Sequence, residues 1–301
     1  MPIANSNGTS IYYEQLASGD SPVVMVDGIG EQIGAAAISE ELCDLIVGAG
    51  LGLVRLDNRD AGLSTEFESA GAPDLDAAVN AAVAGDEVSS AYSLHDMADD
   101  VIAVLDALDL DRAHLAGLSL GAYISRWTAI DHPERVASLT LLLAGSGAGL
   151  ADPGPQAPEQ ALERFLVAGQ PLEKAEHLEF GVEFWRWLWG NGFEFPEAYV
   201  RERVGAAYAR SYRPIGFQRQ LVASFATPGL WEGQRDIRCP TLIVNGDRDP
   251  VFPPGHAEAI EDAIPDSKLW LIEGMGHCLP RDIWPELSER IASLTGSTRT
   301  G

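Results

Sequence analysis

The pentapeptide GLSLG at residues 117–121 constrains this chain more than any other stretch, because it matches the pattern G-x-S-x-G. In that pattern a serine, here Ser119, lies on a strained turn between a strand and a helix. The flanking glycines lack side chains that would clash where the backbone reverses. Residues 113–116 form a short apolar run suited to the strand, and residues 123–130 can begin the helix. The pattern also occurs in ordinary glycine-rich turns, so the rest of the chain must decide between the two.

Apolar runs separated by helical periodicity recur along the chain and predict a parallel sheet. A continuous apolar run that ends at glycines, such as residues 22–26, is typical of a central strand buried on both faces. Apolar side chains at three- and four-residue steps predict a helix over residues 94–108, and another is predicted over residues 35–47. Residues 66–92 lack clear periodicity and are interpreted as a surface excursion. The predicted strands are residues 9–16, 22–26, 53–57, 113–116, 138–143, 240–245 and 268–272.

The alternation of strands and helices stops after residue 144 and resumes at residue 240. The intervening residues show helical patterns and no convincing strand, as in a lid inserted into a sheet. We therefore predict a core made of residues 1–144 and 232–301 and a helical lid at residues 145–231. The helices predicted within the lid are residues 159–168, 172–189, 196–209 and 215–226.

A serine hydroxyl needs a base to take its proton, and the base needs a third group to orient it. His277 follows the strand predicted at residues 268–272 and ends the glycine-rich turn EGMGH. Such a turn can carry an imidazole over the edge of the sheet, so His277 is predicted to be the base. His256 begins a predicted helix, where a surface role is the simpler interpretation. The other histidines are interpreted as structural: His95, His114, His132 and His177.

The acid that orients the base is expected at the carboxyl end of another strand. Asp249 lies beyond the next-to-last predicted strand and precedes a proline, which favours an extended backbone there. Asp247 is the alternative. The end of the preceding strand reads Ala-Gly-Ser at residues 144–146 and carries no carboxylate. Ser119, Asp249 and His277 then follow one another in the order nucleophile, acid, base, which favours a nucleophile site over a simple turn.

A tetrahedral oxyanion needs two N–H donors already held where its charge develops. The residue after the nucleophile, Leu120, is expected to provide one of them. The other should come from the loop after the first central strand, where Gly28 and Ile29 lie, and we expect it to be the N–H of Ile29. Gly28 and Gly30 also fit a simple tight turn, and both interpretations can hold together.

Aromatic side chains are concentrated in the predicted lid and bear on specificity. At helical spacing they suit the core of the lid itself, and any that face the site would suit a bulky, flat or hydrophobic substrate. Our candidate substrate-binding residues are Gly28, Trp185, Trp187, Trp189 and Phe193. The basic residues that follow are expected to be solvated, with the alternative that one of them meets a substrate carboxylate: Arg201, Arg203, Arg210, Arg213 and Arg219.

Four segments of the chain resemble the α/β-hydrolase superfamily, and within it the group of actinobacterial esterases that includes aclacinomycin methylesterase. They are residues 55–64, 117–121, 249–250 and 274–277. The resemblance implies an α/β-hydrolase fold with a mostly parallel eight-stranded sheet flanked by helices. It also implies a Ser–Asp–His carboxylic ester hydrolase that works through an acyl-enzyme without a cofactor. The oxyanion turn of the superfamily usually begins His-Gly, whereas here it begins with Asp27 and Gly28.

Composition and charge argue against several other classes of function. A formal net charge of −25 would repel a nucleic acid or an anionic membrane surface. No apolar run approaches the roughly 20 residues of a membrane-spanning helix, and the first residues lack the pattern of a signal peptide. Three widely spaced cysteines favour a reducing compartment, so we expect a cytoplasmic protein. No metal-ligand spacing or phosphate-binding loop is evident. The expected partner is a small hydrophobic ester, and the oligomeric state is left open.

Two alternatives stay open alongside ester cleavage. The same serine site can serve a lyase, a cyclase, a C–C hydrolase or a cofactor-free haloperoxidase or perhydrolase, because a fold does not determine a reaction. The chain could also bind a small molecule without turning it over. Ester cleavage at Ser119 is the leading hypothesis, and a methyl ester of a polyketide-like metabolite is one candidate substrate.

Overall fold

A computed structural model describes residues 2–19 and 21–297 of the chain. Eight strands form one sheet: β1 (Ile3–Ser6), β2 (Thr9–Ala17), β3 (Val23–Val26), β4 (Leu53–Leu56), β5 (Ala113–Leu118), β6 (Val136–Leu142), β7 (Thr241–Gly246) and β8 (Ser267–Ile272). Their order across the sheet is β1-β2-β4-β3-β5-β6-β7-β8. The two pairs that include β2 are antiparallel, and the other neighbours are parallel. The predicted mostly parallel eight-stranded sheet is confirmed.

Helices cover both faces of this sheet. In chain order they are α1 (Glu40–Gly48), α2 (Leu75–Ala84), α3 (Leu94–Ala107), α4 (Leu120–Asp131), α5 (Glu159–Ala168), α6 (Lys174–Leu188), α7 (Glu197–Arg210), α8 (Pro214–Phe225), α9 (Leu230–Gly233), α10 (Gly255–Ala263) and α11 (Trp284–Ser297). Helices α3, α4 and α10 pack in one apolar core, and α1 and α11 pack in the core on the other face. Because both faces are covered, β3, β5, β6 and β7 are buried along their whole lengths. Within residues 2–19 and 21–297, no helix combines the length and apolar character needed to cross a membrane.

Helices α5 to α9 all lie between β6 and β7, and we call them the inserted helices. Residues 143–240, all of which the structure describes, contain no strand. Gly190 pairs with Met275 in an isolated antiparallel bridge, which ties the end of α6 to the loop after β8. Side chains of the inserted helices and the carboxyl ends of β3 and β5 line one cavity. The insertion therefore stands over the strand ends, where ligands bind in open parallel sheets.

The helix predicted over residues 35–47 is shorter in the structure and begins only at Glu40. Ser39 caps it, because its side chain accepts the N–H of Leu42 at 3.1 Å. Residues 35–38 are mostly buried turns rather than helix. Their apolar character reflects burial in the loop before α1.

Residues 66–92, interpreted as a surface excursion, are mostly exposed or part-exposed but contain the ten-residue helix α2, which was not predicted. Its buried residues Ala78 and Ala82 pack against Val222 of α8. The helix gives no clear periodicity in the sequence because alanine occurs on several of its faces and hides its apolar stripe. Asp74, whose side chain accepts the N–H of Ala77, is the capping signal that marks its start.

Candidate active site

Ser119 occupies a sharp turn between β5 and α4. Its backbone angles are φ 52° and ψ −112°, which lie outside the regions that a serine ordinarily adopts. A Cβ on Gly117 would collide with the carbonyl of Gly121, and a Cβ on Gly121 would collide with the carbonyl of Val26. The two glycines are therefore required by close backbone approach rather than by positive φ, which neither of them has. The strained turn presents the serine hydroxyl to the cavity.

The structure brings Ser119, His277 and Asp249 into one hydrogen-bonded chain. Oγ of Ser119 lies 3.0 Å from Nε2 of His277, and Nδ1 of His277 lies 2.8 Å from Oδ2 of Asp249. The three residues are 8%, 5% and 4% exposed, respectively. With its proton on Nδ1 donated to the carboxylate, the imidazole presents the lone pair of Nε2 to the serine hydroxyl. This is the arrangement that lets a histidine take a proton from serine.

Backbone groups hold the Asp249 carboxylate in position. Its Oδ1 accepts the N–H of Val251 at 2.7 Å and the N–H of Phe252 at 2.8 Å. These bonds fix the rotation of the carboxylate, so Oδ2 faces His277. The ring of Phe252 also contacts the imidazole edge-on, with 5.5 Å between the ring centroids.

The loop that carries His277 is anchored from two sides. Asp247, the alternative acid, contacts the loop backbone rather than the imidazole, because its Oδ1 accepts the N–H of Gly274 at 2.6 Å. On the other side, the N–H of His277 donates to the carbonyl of Leu188 at 2.6 Å, at the end of α6. The inserted helices therefore help to position the imidazole.

The loop after β3 lies against Ser119, as the prediction for the second N–H donor requires. Gly28 and Ile29 line the same cavity as the serine, and a Cβ on Gly28 would lie 3.6 Å from the Cβ of Ser119. Within the described residues, the backbone N–H groups of Ile29 and Leu120 have no hydrogen-bond acceptor in the protein. The N–H of Leu120 also lies at the amino end of α4, where the helix dipole favours negative charge. Both groups are free to donate to a ligand.

Two buried carboxyl groups flank this loop. Burial raises the pKa of Asp27 well above its ordinary value, and the nearby Glu31 carboxylate raises it further. Burial also raises the pKa of Glu31, to about 7. Desolvation disfavours the charged form of an acid, so both shifts favour a neutral carboxyl. Asp27 is therefore less readily ionised than an exposed aspartate would be at this position before Gly28 and Ile29.

The cavity above Ser119 has a volume of about 170 Å³ and a mostly apolar wall, to which seven aromatic side chains contribute. Polar groups in the wall include Glu31 and His177, and burial lowers the pKa of His177, which favours its neutral form. The aromatic side chains of the wall all come from the inserted helices and the loop between α7 and α8: Phe165, Phe180, Phe184, Trp185, Tyr208, Tyr212 and Phe217. Such a wall suits an apolar ligand with flat surfaces.

Only some of the candidate substrate-binding residues reach this cavity. Gly28 and Trp185 line it, whereas Trp187, Trp189 and Phe193 do not, so the expectation for these three is corrected. Trp189 is buried in a separate apolar cluster, against which Phe193 also packs. Trp187 turns towards the Arg164 guanidinium, which lies 4.8 Å from its ring.

Helical geometry explains this division along α6. The cavity-lining residues of that helix recur every three or four positions: His177, Phe180, Gly181, Phe184, Trp185 and Leu188. Trp187 lies off that stripe, and Trp189 follows the helix. Marking the three-and-four-residue stripe on the predicted helix, instead of counting aromatic residues, would have identified the wall.

Three arginines that were expected to be solvated instead contact the core. Arg210 pairs with Asp57 at 2.7 Å, and Arg219 pairs with Asp60 at 2.7 Å. The side chains of both aspartates are fully buried. Arg213 donates to a core backbone carbonyl at 2.6 Å. These contacts are not evident from the sequence, because nothing local to Asp57 or Asp60 indicates that its carboxylate has a partner in the inserted helices.

His256 also differs from its predicted surface role. It is buried, and its Nδ1 accepts the N–H of Ser146 at 3.0 Å. A core histidine of this kind supports the loop after β6 and does not contact Ser119. Across the described ranges, no group of three His, Cys, Asp or Glu side chains has the arrangement of a metal site.

The structure has a strained serine turn beside a buried histidine and aspartate, at the carboxyl ends of the strands of a mostly parallel sheet. This arrangement is that of a serine hydrolase of the α/β class. The profile of the family described as "Alpha/beta hydrolase family" matches residues 44–288. The chain therefore belongs to the alpha/beta hydrolase family, and the predicted resemblance is confirmed.

Within the family the chain is similar to rhodomycin D methylesterases. It is 29% identical to rhodomycin D methylesterase DauP of Streptomyces sp. (strain C5), over 92% of this chain and 91% of that protein. It is also 29% identical to rhodomycin D methylesterase DnrP of Streptomyces peucetius, with the same coverage of both. Among solved structures, the meta-cleavage product hydrolase CumD of Pseudomonas fluorescens IP01 superposes with a TM-score of 0.73 and 19% identity, over 98% of this chain and 97% of that chain.

Proposed function

We propose that this protein is a serine hydrolase that cleaves a carboxylic ester through an acyl-enzyme at Ser119. The observation that carries the proposal is the chain of two hydrogen bonds that links Ser119 to His277 and His277 to Asp249. These hydrogen bonds lie at the base of an apolar cavity, beside two N–H groups for which residues 2–19 and 21–297 provide no acceptor.

In the first half-reaction, Oγ of Ser119 attacks the ester carbonyl carbon while Nε2 of His277 takes the hydroxyl proton. The carbonyl oxygen becomes an oxyanion that accepts hydrogen bonds from the N–H groups of Ile29 and Leu120. As the intermediate collapses, the C–O bond to the alcohol breaks and His277 returns its proton to the leaving oxygen. Asp249 holds the imidazole and stabilises its charged form throughout.

In the second half-reaction, water replaces the alcohol. His277 takes a proton from the water, whose oxygen attacks the acyl carbon on Ser119. The same two N–H groups bind the second oxyanion. Collapse restores the serine hydroxyl and releases the carboxylic acid.

The substrate that the cavity supports best is a bulky, flat, hydrophobic ester, of which the cavity of about 170 Å³ holds only the part next to Ser119. The aromatic wall favours ring systems, and two similar proteins are named rhodomycin D methylesterases. A methyl ester of a polyketide-like metabolite fits both observations, because its leaving group is small and its acid part is large. We assign the role of a substrate-binding lid to residues 145–231, which provide most of that wall.

C–C bond hydrolysis is the second candidate. It is favoured by the superposition on a meta-cleavage product hydrolase and by 29% identity over 210 residues to the 2-hydroxymuconate semialdehyde hydrolase of Pseudomonas sp. (strain CF600). An enzyme of either kind can use the same serine and histidine, so turnover must separate them.

The test compares p-nitrophenyl butyrate, methyl esters of polycyclic aromatic acids and a meta-cleavage dienoate. The proposal predicts ester turnover by the wild-type protein and a fall of at least about 10⁴-fold for Ser119→Ala. The matched control is Ser288→Ala, which removes a buried serine hydroxyl whose hydrogen bond stays within α11. Wild-type activity in Ser119→Ala would refute the proposal, and turnover of the dienoate alone would replace it with C–C hydrolysis.

A further inference from the structure

Gln220 connects an inserted helix to the loop that carries Ile29. It lies on α8, is 0% exposed and is not part of the cavity wall. Its Oε1 accepts the N–H of Gly30 at 2.8 Å, and its Nε2 donates to the carbonyl of Arg59 at 2.7 Å. The oxygen and the nitrogen of this side-chain amide therefore each form a hydrogen bond, the first to the loop after β3 and the second to the loop after β4.

The bond to Gly30 acts on the turn that orients the Ile29 N–H. In this turn the carbonyl of Gly28 accepts the N–H of Glu31 at a long 3.3 Å, and Gly30 has a φ of 68°. The C=O and N–H of a trans peptide point in opposite directions. The Gly28 carbonyl therefore faces into the turn while the Ile29 N–H faces away from it. The hydrogen bond from Glu31 to Gly28 that closes the turn is long and therefore weak. The shorter hydrogen bond from the N–H of Gly30 to Gln220 is the stronger restraint, and it acts on the peptide between Ile29 and Gly30.

A second contact fixes the far end of the same loop. Nε2 of Gln32 donates to the carbonyls of Ala207 and Ser211, and its Oε1 accepts from Arg210 at 2.8 Å. These partners lie at the carboxyl end of α7 and just beyond it. The inserted helices thus hold the loop at two separate points, neither of which is in the sheet.

We propose that Gln220 is a positioning residue that holds the Ile29 N–H in the orientation needed to bind the oxyanion. The inference rests on the proposed serine hydrolase function. In this role the side chain must offer an acceptor to Gly30 and a donor to Arg59 at once, which an amide does and a carboxylate or a thioether does not. The inserted helices then contribute to the chemical step as well as to substrate binding.

The role predicts a separation of kcat from KM. Gln220 does not line the cavity, so its loss leaves the ground-state contacts of the substrate in place. A misdirected N–H instead weakens an interaction that forms fully only in the transition state. A general loosening of α8 would act differently, because Phe217 of the same helix lines the cavity and its displacement would raise KM.

The experiment compares Gln220→Met with Gln218→Met in p-nitrophenyl ester hydrolysis. Gln218 is a matched control because it is also a buried glutamine of α8, but its Nε2 bonds to Gly169 within the insertion. For Gln220→Met we expect kcat to fall by about 10- to 100-fold with KM changed less than about twofold. For Gln218→Met we expect kcat within about threefold of wild type. Affinity for a boronic acid that forms a tetrahedral adduct should fall in parallel with kcat.

Each result decides the inference. Unchanged kcat in a folded Gln220→Met protein, or equal losses in the two variants, would overturn it while leaving the proposed function intact. Absence of Ser119-dependent turnover in the wild-type protein would overturn both. If Gln220→Met does not fold, Gln220→Glu serves in its place, and unchanged kcat in that variant would likewise overturn the inference. It keeps the acceptor for Gly30 and loses the donor to Arg59, so a smaller loss of kcat is expected.

Discussion

Replacing Asp249 by asparagine tests how the site holds its histidine. The asparagine has nearly the same shape, but one carboxylate oxygen becomes an NH₂ group. In the wild-type structure Oδ1 accepts two backbone N–H groups, from Val251 and Phe252, while Oδ2 faces Nδ1 of His277. Retaining the two backbone bonds places the NH₂ group against the imidazole. Nδ1 must then be the acceptor and Nε2 carries the proton, so the histidine cannot take a proton from Ser119.

The magnitude follows from the alternative orientation of the amide. Turning its oxygen towards the histidine leaves the two backbone N–H groups facing an NH₂ group. Each buried N–H without an acceptor costs about 1–3 kcal/mol, so the active orientation lies about 2–6 kcal/mol higher. At 1.36 kcal/mol for each factor of ten, the expected fall in kcat is about 30-fold to 10⁴-fold.

The assay is steady-state hydrolysis of p-nitrophenyl butyrate, with thermal unfolding to verify the fold. The matched control is Asp247→Asn, because an asparagine oxygen can still accept the N–H of Gly274. We expect Asp247→Asn to stay within about fivefold of wild type. Equal activity of Asp249→Asn and wild type, or a larger loss in Asp247→Asn, would contradict the assignment of the acid.

Three other substitutions test the surroundings of the site. Glu31→Gln should raise Tm at pH 8 and not at pH 4. The pKa of Glu31 is raised to about 7 in the folded protein, so ionisation of this carboxyl destabilises the fold as the pH rises from 4.5 to about 7. Equal gains in Tm at both pH values would contradict this. Arg219→Met should destabilise the fold by about 3–5 kcal/mol, since it leaves the buried Asp60 carboxylate without its cation; a denaturant midpoint like that of wild type would refute it. Gly30→Ala should lower kcat/KM in ester hydrolysis, because its φ is 68° and a Cβ would collide with the Phe217 ring; unchanged kinetics would show that the turn adapts.

The sequence predicts the strands of the sheet and the loops after them that carry the candidate catalytic residues. Strand runs buried on both faces are continuous in the sequence, so β3 and β5 to β7 are recognisable without a partner. Ser119 and Asp249 each follow such a run, whereas His277 follows the edge strand β8, which is mostly part-exposed but still alternates with helices along the chain. The carboxyl ends of these parallel strands lie at the same end of the sheet. The order of these three residues in the sequence therefore predicts the two hydrogen bonds that link them in the structure.

Contacts between the insertion and the core are not predictable in the same way. A surface arginine and one that pairs with a buried carboxylate have the same local pattern, and only docking of α7 and α8 places Arg210 and Arg219 on the core. Gln220 likewise gives no local signal of its bond to Gly30, which is 190 residues away along the chain. The wall of the cavity depends on the rotation of α6 about its axis, which decides that Trp185 lines it while Trp189 is buried elsewhere.

The most direct test of the central claim is the mass of the intact protein after reaction with a fluorophosphonate. A serine activated by His277 should acquire one phosphonyl group, mapped by peptide analysis to Ser119, with loss of ester hydrolysis in proportion to labelling. The Ser119→Ala variant should remain unlabelled and folded. An unlabelled wild-type protein, or a label on another residue with hydrolysis retained, would contradict the account.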